Sequence, residues 1–160
     1  MRLNILVRIL VGAFFIQLGV EAFSAEEGWS QSYSAGYEDQ QGSFAGGSEI
    51  MHLVSHKGKV YAANGYWMDS RWVIPPEGQK QSTQVLRLDS VDSSWQVDLD
   101  TGKSNGHGLE YMKGNVLRSV TFTRNGTGKV LAEPVNLLVM AAGSNFEKGG
   151  AVSVWVRDDE

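Results

Sequence analysis

Hydrophobic and polar residues alternate along residues 50–100, and the pattern predicts four short antiparallel strands. The segments "IMHLVSH" and "KVYAANG" flank the pair Lys57-Gly58, which predicts a hairpin with a tight turn. The segments "TQVLRLD" and "SWQVDLD" follow as two further strands, joined through residues 90–94. No helical periodicity interrupts this series.

A second β-rich series follows, and its strand segments resemble those of the first series in sequence. Its strands are "VLRSVTFT", "VNLLVMAAG" and "AVSVWVR", with "RNGTGKVLAEP" as the link between the first two. The segment "VYAANG" of the first series corresponds to "LVMAAG" of the second, and "VLRLD" corresponds to "VWVRD". Similar β units in succession predict a repeat architecture such as a propeller or a solenoid.

Polar, Gly-rich segments separate the strands. Residues 66–82 contain Pro75 and Pro76, which exclude a central strand there, and residues 101–115 form a second long loop. Residues 23–47 are rich in Gly and Ser and show no periodicity, so we expect a flexible lead-in to the first strand.

The first 22 residues have the pattern of an export signal. Arg2 and Arg8 give a positive start, Ile9 to Val20 are apolar, and cleavage is expected after Ala22 or as late as residue 25. The apolar run of about 12 residues is short against the roughly 20 that cross a bilayer. The sequence therefore predicts a secreted or periplasmic protein with no stable membrane insertion once the signal is removed.

Charge and cysteine content narrow the function classes. The net charge is −4, and basic residues do not cluster, which argues against nucleic-acid binding. The 160 residues include no cysteine, so disulfides, thiolate metal sites and a cysteine nucleophile are excluded.

The stretch "KVYAANG…TQVLRLDSVDSSW" resembles a kelch-type blade of a β-propeller, with an Asp six positions before a Trp. Residues 48–100 match one blade, 101–115 an inter-blade loop, and 116–160 an incomplete second blade. The matched positions are Tyr61, Asn64, Gly65, Asp89 and Trp95, followed by Gly143 and Asp158 in the second unit. The resemblance implies an all-β fold, a partial propeller of four-stranded antiparallel blades.

The Asp89–Trp95 spacing is interpreted as architecture. We expect Asp89 to cap backbone N–H groups of the turn at residues 90–94, and Trp95 to pack between neighbouring sheets. A closed propeller takes about four to eight blades, and this sequence carries about one and three-quarters. We therefore expect either the N-terminal part of a longer protein or several copies that associate through open blade edges.

Two predicted loops carry the candidate ligand residues, because propeller topology brings them to one face. Aromatic rings stack on sugar rings, and polar side chains bind hydroxyl groups. The candidates are Tyr66, Trp67, Asp69, Arg71 and Trp72 in the first loop, with His107 and Tyr111 in the second. The alternative is that the loops fold their aromatic residues back over their own blade.

Other chemistry has weak support in the sequence. His52 and His56 would lie about 13 Å apart along one strand, too far for one ion, so no metal or other cofactor is expected. The galactose-oxidase type of kelch propeller uses copper with a tyrosine–cysteine cross-link, which a chain without cysteine cannot form. Asn125 begins the glycosylation sequon Asn-Gly-Thr, which matters only in a eukaryotic source.

Three functions remain open from the sequence. The first is a non-enzymatic module that binds a glycan or a protein. The second is the N-terminal part of a propeller enzyme, of oxidase, lyase or lactonase type, whose catalytic residues lie in other blades. The third is a structural scaffold with no ligand.

Overall fold

The computed structural model describes residues 28–66, 81–104, 111–144, 152–157 and 159. These residues form an all-β fold built on a strongly curled antiparallel sheet, a half-barrel consistent with a partial propeller-like architecture. The all-β fold class predicted from the sequence is therefore confirmed.

The strands follow the chain in simple order. They are β1 (Tyr37–Glu38), β2 (Phe44–Ala45), β3 (Glu49–His56), β4 (Lys59–Gly65), β5 (Gln84–Leu88), β6 (Gln96–Asp100), β7 (Tyr111–Arg124), β8 (Val130–Ser144) and β9 (Val152–Arg157). One turn of helix, α1 (Thr101–Ser104), follows β6. Strands β1 and β2 pair with each other, and the other seven strands make the large sheet.

Strands β3 to β6 form an antiparallel meander, called the first meander below, in which each strand pairs with the next. The pair His56–Lys59 closes the predicted hairpin. Both turn residues have positive φ, 45° at Lys57 and 78° at Gly58, as a two-residue turn of this hand requires. The four strands predicted from the alternation pattern are confirmed.

Strands β7 to β9 form the second meander, and β7 and β8 are longer than predicted. Strand β7 starts at Tyr111, inside the segment expected to be a loop, and β8 contains Pro134. The pairing of β7 with β8 is irregular between Phe122 and Arg124, and no register partner is assigned to Pro134. Proline has no backbone N–H to donate, so Pro134 is tolerated here because the β7–β8 ladder is already irregular at this point.

The two meanders meet at the end of β4. Strand β5 pairs with Val60 to Ala63, and β7 then comes beside Gly65, which pairs with Lys113. The backbone N–H of Tyr66 donates to the carbonyl of Met112 at 2.9 Å. Strands β4 and β8, which carry the repeated segments "VYAANG" and "LVMAAG", hold the second position in their meanders.

The main core lies between the inner faces of the two meanders. Its members alternate along their strands and include Tyr61, Ala63 and Val85 from the first meander. The second meander contributes Tyr111, Leu117, Leu138, Met140 and Ala142. Burial of these side chains, at roughly 1.5–3 kcal/mol for each large one, is the main force that holds the two meanders together.

A second, smaller core lies on the outer face of the first meander, under residues 31–47. Tyr33 and Tyr37 pack there against Trp95 and Leu86. The Asp39 carboxylate accepts hydrogen bonds from Ser43 N at 2.8 Å and from Val97 N at 2.8 Å. Residues 31–47, which the composition predicts to be part of a flexible lead-in, thus make side-chain contacts with distant strands.

Across the described ranges, no helix has the length and apolar character needed to cross a membrane.

Candidate functional site

A cleft of about 190 Å³ opens between the inner faces of the two meanders. Leu117, Leu138 and Met140, all buried, form its apolar part. Trp155 of β9 borders it, and Asp98 and Arg157 bring opposite charges to the same cavity. The cleft therefore combines an apolar interior, one indole ring and one ion pair.

Trp155 is held by its neighbours. Its ring meets the ring of Tyr111 edge to face, with centroids 5.1 Å apart and planes at 83°. The Tyr111 hydroxyl lies 2.7 Å from Ser153 Oγ, on the same strand as Trp155. A ligand that entered the cleft would therefore meet an indole that is already positioned, at little further cost in side-chain entropy.

The ion pair in the cleft is part of a longer network. Asp98 Oδ1 accepts from Arg87 Nη1 at 2.6 Å, and Asp98 Oδ2 accepts from Arg157 Nε at 2.9 Å. The Arg157 guanidinium also lies 5.5 Å from the centroid of the Tyr61 ring. Asp98 thus joins β5 of the first meander to β9 of the second.

Asp89 belongs to the same network and not to the turn that follows it. Its Oδ1 forms ion pairs with Lys59 Nζ at 2.7 Å and with Arg87 Nε at 2.9 Å. The hydrogen bond from Lys59 holds the pKa of Asp89 below its usual value. Ser93 closes the turn instead, since its Oγ accepts from Ser90 N at 2.8 Å, so the predicted capping role of Asp89 is corrected.

The other positions matched to a kelch-type blade take part in packing and strand pairing, except for one that is not described. Tyr61 and Trp95 lie in the two cores. Asn64, fully buried, donates from Nδ2 to Gly46 O at 2.8 Å and accepts from Gln84 N at 2.6 Å. Gly65 and Gly143 lie at ladder positions beside Lys113 and Val152. Asp158 is outside the described residues.

Of the loop residues expected to bind a ligand, the structure describes two. Tyr66 and Tyr111 are buried, with exposed fractions of 0% and 1%. Their rings pack inside the protein and do not face solvent, which corrects the expectation that these two rings stack on a ligand. Trp67, Asp69, Arg71, Trp72 and His107 lie outside the described residues.

His56 lies in a buried polar cluster between the meanders. Its Nε2 is 2.7 Å from Asp159 Oδ2, and its Nδ1 is 2.8 Å from Ser119 Oγ. His52 contacts Asn115 O instead, at 2.8 Å. Among the described residues, no three His, Asp or Glu side chains converge as metal ligands.

The order Ser119–His56–Asp159 is also that of a nucleophile with its base and orienting acid. Two observations favour a structural role. The His56 side chain has no exposed surface, and Ser119 Oγ also accepts from Asn136 Nδ2 at 3.1 Å. In addition, Ser119 lies within the β7–β8 ladder, opposite Leu138, so its backbone belongs to the sheet and does not form an oxyanion site.

Sequence reasoning missed the cleft residues Asp98, Trp155 and Arg157. The signal was present on β9, where "VSVWVR" alternates strictly and places Trp155 and Arg157 on one face. Asp98 was harder to assign, because the β5–β6 ladder is irregular between Val85 and Leu86 and shifts the face on which it lies.

Comparison of the chain with protein-family models, curated proteins and solved structures found no match.

Proposed function

We propose that this chain is an exported, non-enzymatic module that binds carbohydrate in the cleft between the two meanders. The observation that carries the proposal is the meeting of Trp155 with the Asp98–Arg157 pair around one apolar cavity. The export signal and the kelch-type repeat expected from the sequence are part of the same proposal.

The chemistry of the cleft suits a sugar ring. The C–H face of a sugar packs on an indole and on aliphatic side chains such as Leu138 and Met140, while its hydroxyl groups need polar partners. A carboxylate has about four acceptor sites, so Asp98 retains acceptor capacity beyond its two arginine partners. A bound hydroxyl group can therefore donate to Asp98 without breaking the ion pair.

The volume of the cleft limits how much of a glycan can be bound inside it. Its volume of about 190 Å³ is below the roughly 300–1,000 Å³ of sites that enclose drug-sized ligands. The cleft therefore takes one ring, such as a terminal residue of a glycan, and leaves the remainder of the glycan in solvent.

Binding of the purified chain to an array of glycans, followed by titration of the best ligand, tests this function. In Trp155→Ala we expect the dissociation constant to rise at least about tenfold, because ring stacking is lost. Phe122→Ala is the matched control, since Phe122 is an exposed aromatic residue of the same meander that does not line the cleft.

Circular dichroism of both variants separates a lost contact from a lost fold. Equal affinities for Trp155→Ala and wild type would place the sugar elsewhere. An absence of binding to every glycan would contradict the carbohydrate module and favour the scaffold hypothesis.

A further inference from the structure

The tip of the β7–β8 hairpin places an Asn-Gly pair in solvent. Strand β7 ends at Arg124 and β8 begins at Val130, and the residues from 121 to 130 are all exposed. A hydrogen bond from Asn125 N to Lys129 O at 2.9 Å closes the turn. The backbone of Asn125 is therefore fixed, while its side chain is in contact with water.

The side-chain oxygen of Asn125 accepts three hydrogen bonds within this turn. The donors are Thr127 Oγ1 at 2.8 Å, Lys129 N at 3.0 Å and Thr127 N at 3.1 Å. Among the described residues, none accepts a hydrogen bond from Nδ2 of the same amide. The turn therefore holds this amide by its oxygen and leaves its nitrogen to solvent.

Gly126 supplies the backbone nitrogen next to this amide. A Cβ atom added at Gly126 would meet nothing within 4 Å, so the space around the residue is open, and glycine itself brings no side chain. Attack of the Gly126 nitrogen on Cγ of Asn125 closes a small imide ring. Because both groups belong to neighbouring residues, the reaction needs no encounter between separate molecules.

We propose that this turn promotes the cyclisation of Asn125, which makes the residue a site of spontaneous modification. The Gly126 nitrogen loses its proton to solvent base and bonds to Cγ of Asn125, which places a negative charge on Oδ1. The three donors lie 2.8–3.1 Å from Oδ1, the distance at which hydrogen bonds stabilise an oxyanion. The Cγ–Nδ2 bond then breaks, and the nitrogen takes a proton from water and leaves as ammonia.

Water opens the imide ring in two ways, and both products add a negative charge to the hairpin tip. Attack at Cγ gives aspartate at position 125, which keeps an oxygen for the three donors. Attack at the backbone carbonyl gives isoaspartate, in which the main chain runs through the former side chain. The second product lengthens the main chain inside the turn, so the hydrogen bond between Asn125 N and Lys129 O is not maintained in its present form.

A second Asn-Gly pair in the same fold provides an internal reference. Asn64 is fully buried, and its Nδ2 donates to Gly46 O at 2.8 Å. Its amide nitrogen is thus held by the protein, and the site is shielded from the water that the reaction consumes. We therefore expect Asn64 to stay intact under conditions that convert Asn125.

Peptide mapping of the folded chain after incubation in mildly alkaline buffer measures the reaction. Trypsin cuts after Arg124 and Lys129 and releases residues 125–129, in which mass spectrometry gives the fraction of amide converted to acid. We expect the rate to fall about two- to tenfold in Thr127→Val, the range that follows from losing one hydrogen bond of ordinary net strength. Thr127→Ser keeps the hydroxyl group and should react like wild type.

The unfolded chain separates the effect of the turn from that of the local sequence. In denaturant the three hydrogen bonds are absent, so wild type and Thr127→Val should react at equal rates. Folded wild type should react faster than unfolded wild type. Circular dichroism before incubation verifies that each variant is folded in buffer.

Four results would overturn the proposal. Folded Thr127→Val that reacts as fast as wild type would show that the hydroxyl donor does not assist, and a faster reaction would show that the hydrogen bonds protect the amide. A folded wild-type chain that reacts no faster than the unfolded chain would show that the turn does not promote the reaction. Thr127→Ser as slow as Thr127→Val would show that the hydroxyl group is not the cause.

Discussion

His56 connects the turn of the first hairpin with the end of β9, and its surroundings keep its ring neutral. Burial lowers the pKa of His56, and the neighbouring charges of Lys57 and Arg157 lower it further. The Asp159 carboxylate, 2.7 Å from His56 Nε2, also pairs with Lys57 and with Arg157. The neutral ring can then accept from Ser119 while it donates to Asp159.

This arrangement makes stability depend on pH. The folded-state pKa of His56 lies below its ordinary value of 6.5, so the unfolded chain binds more protons as the pH falls through 6.5. The stability that His56 contributes is complete above that pH and is lost below it, down to the folded-state pKa. We expect the melting temperature of wild type to fall between about pH 7.5 and about pH 5.5 by more than that of His56→Gln.

His52→Gln provides the control for this measurement, because His52 lies outside the Asp159 cluster. It should retain the fall in melting temperature that His56 causes. A His56→Gln variant with an unchanged pH dependence would show that carboxylates, and not His56, set the acid sensitivity.

At the scale of the elements, a glycine lies where the two meanders pack closely against each other. A Cβ atom added at Gly114 of β7 would lie 2.7 Å from Ala63 Cβ and 3.2 Å from Met140 Cε. The absence of a side chain at this position lets β7 approach β4, and this approach lets the core close.

Gly114→Ala should therefore destabilise the protein by about 1–3 kcal/mol through overpacking, as measured by denaturant unfolding. Gly126→Ala is the matched control, since a Cβ atom at that turn position meets nothing within 4 Å. Its effect should stay within about 0.5 kcal/mol. An equal loss in both variants would indicate a general effect of replacing glycine in this meander.

The strands that could be predicted from the sequence are those whose defining residues lie close together along the chain. The Lys57-Gly58 hairpin and the strands around it were predictable, because turn chemistry and alternation act over a few residues. The β1–β2 hairpin was not, since Asp39 and Tyr37 are held by bonds to Val97 N and Trp95 O, nearly sixty positions away. A side chain whose partner is that distant leaves no periodic signal.

The candidate site shows the same contrast between residues set by local sequence and residues brought together by the fold. The positions that resemble a kelch-type blade could be found from spacing, but the cleft needs two meanders to meet, and no spacing predicts which side chains then face each other. Asp89 shows this limit: a turn-capping role follows from its neighbours in sequence, whereas the fold brings it Lys59 and Arg87.

At the scale of the whole molecule, Asp98 is one of the charged links between the meanders. Its carboxylate is largely buried and holds Arg87 and Arg157 from two different strands. Asp98→Asn would remove one carboxylate partner from each guanidinium group and leave Asp89 for Arg87 and Asp159 for Arg157, so we expect a loss of about 1–3 kcal/mol in the free energy of unfolding. Chemical denaturation followed by circular dichroism measures the loss.

Asp92→Asn serves as the control, because Asp92 lies on the exposed turn between β5 and β6, and its substitution should change stability by less than about 0.5 kcal/mol. If Asp98→Asn is as stable as wild type, the apolar core alone holds the two meanders in place.

The junction at Gly65 has an evolutionary consequence. Among the described residues, the ladders connect the meanders through one register pair, Gly65 with Lys113, and side chains of both meanders pack together in the main core. Duplicating a meander, or exchanging one for a related copy, would therefore disturb very little of the backbone pairing. Each unit can diverge in sequence as long as the volumes on its inner face are conserved.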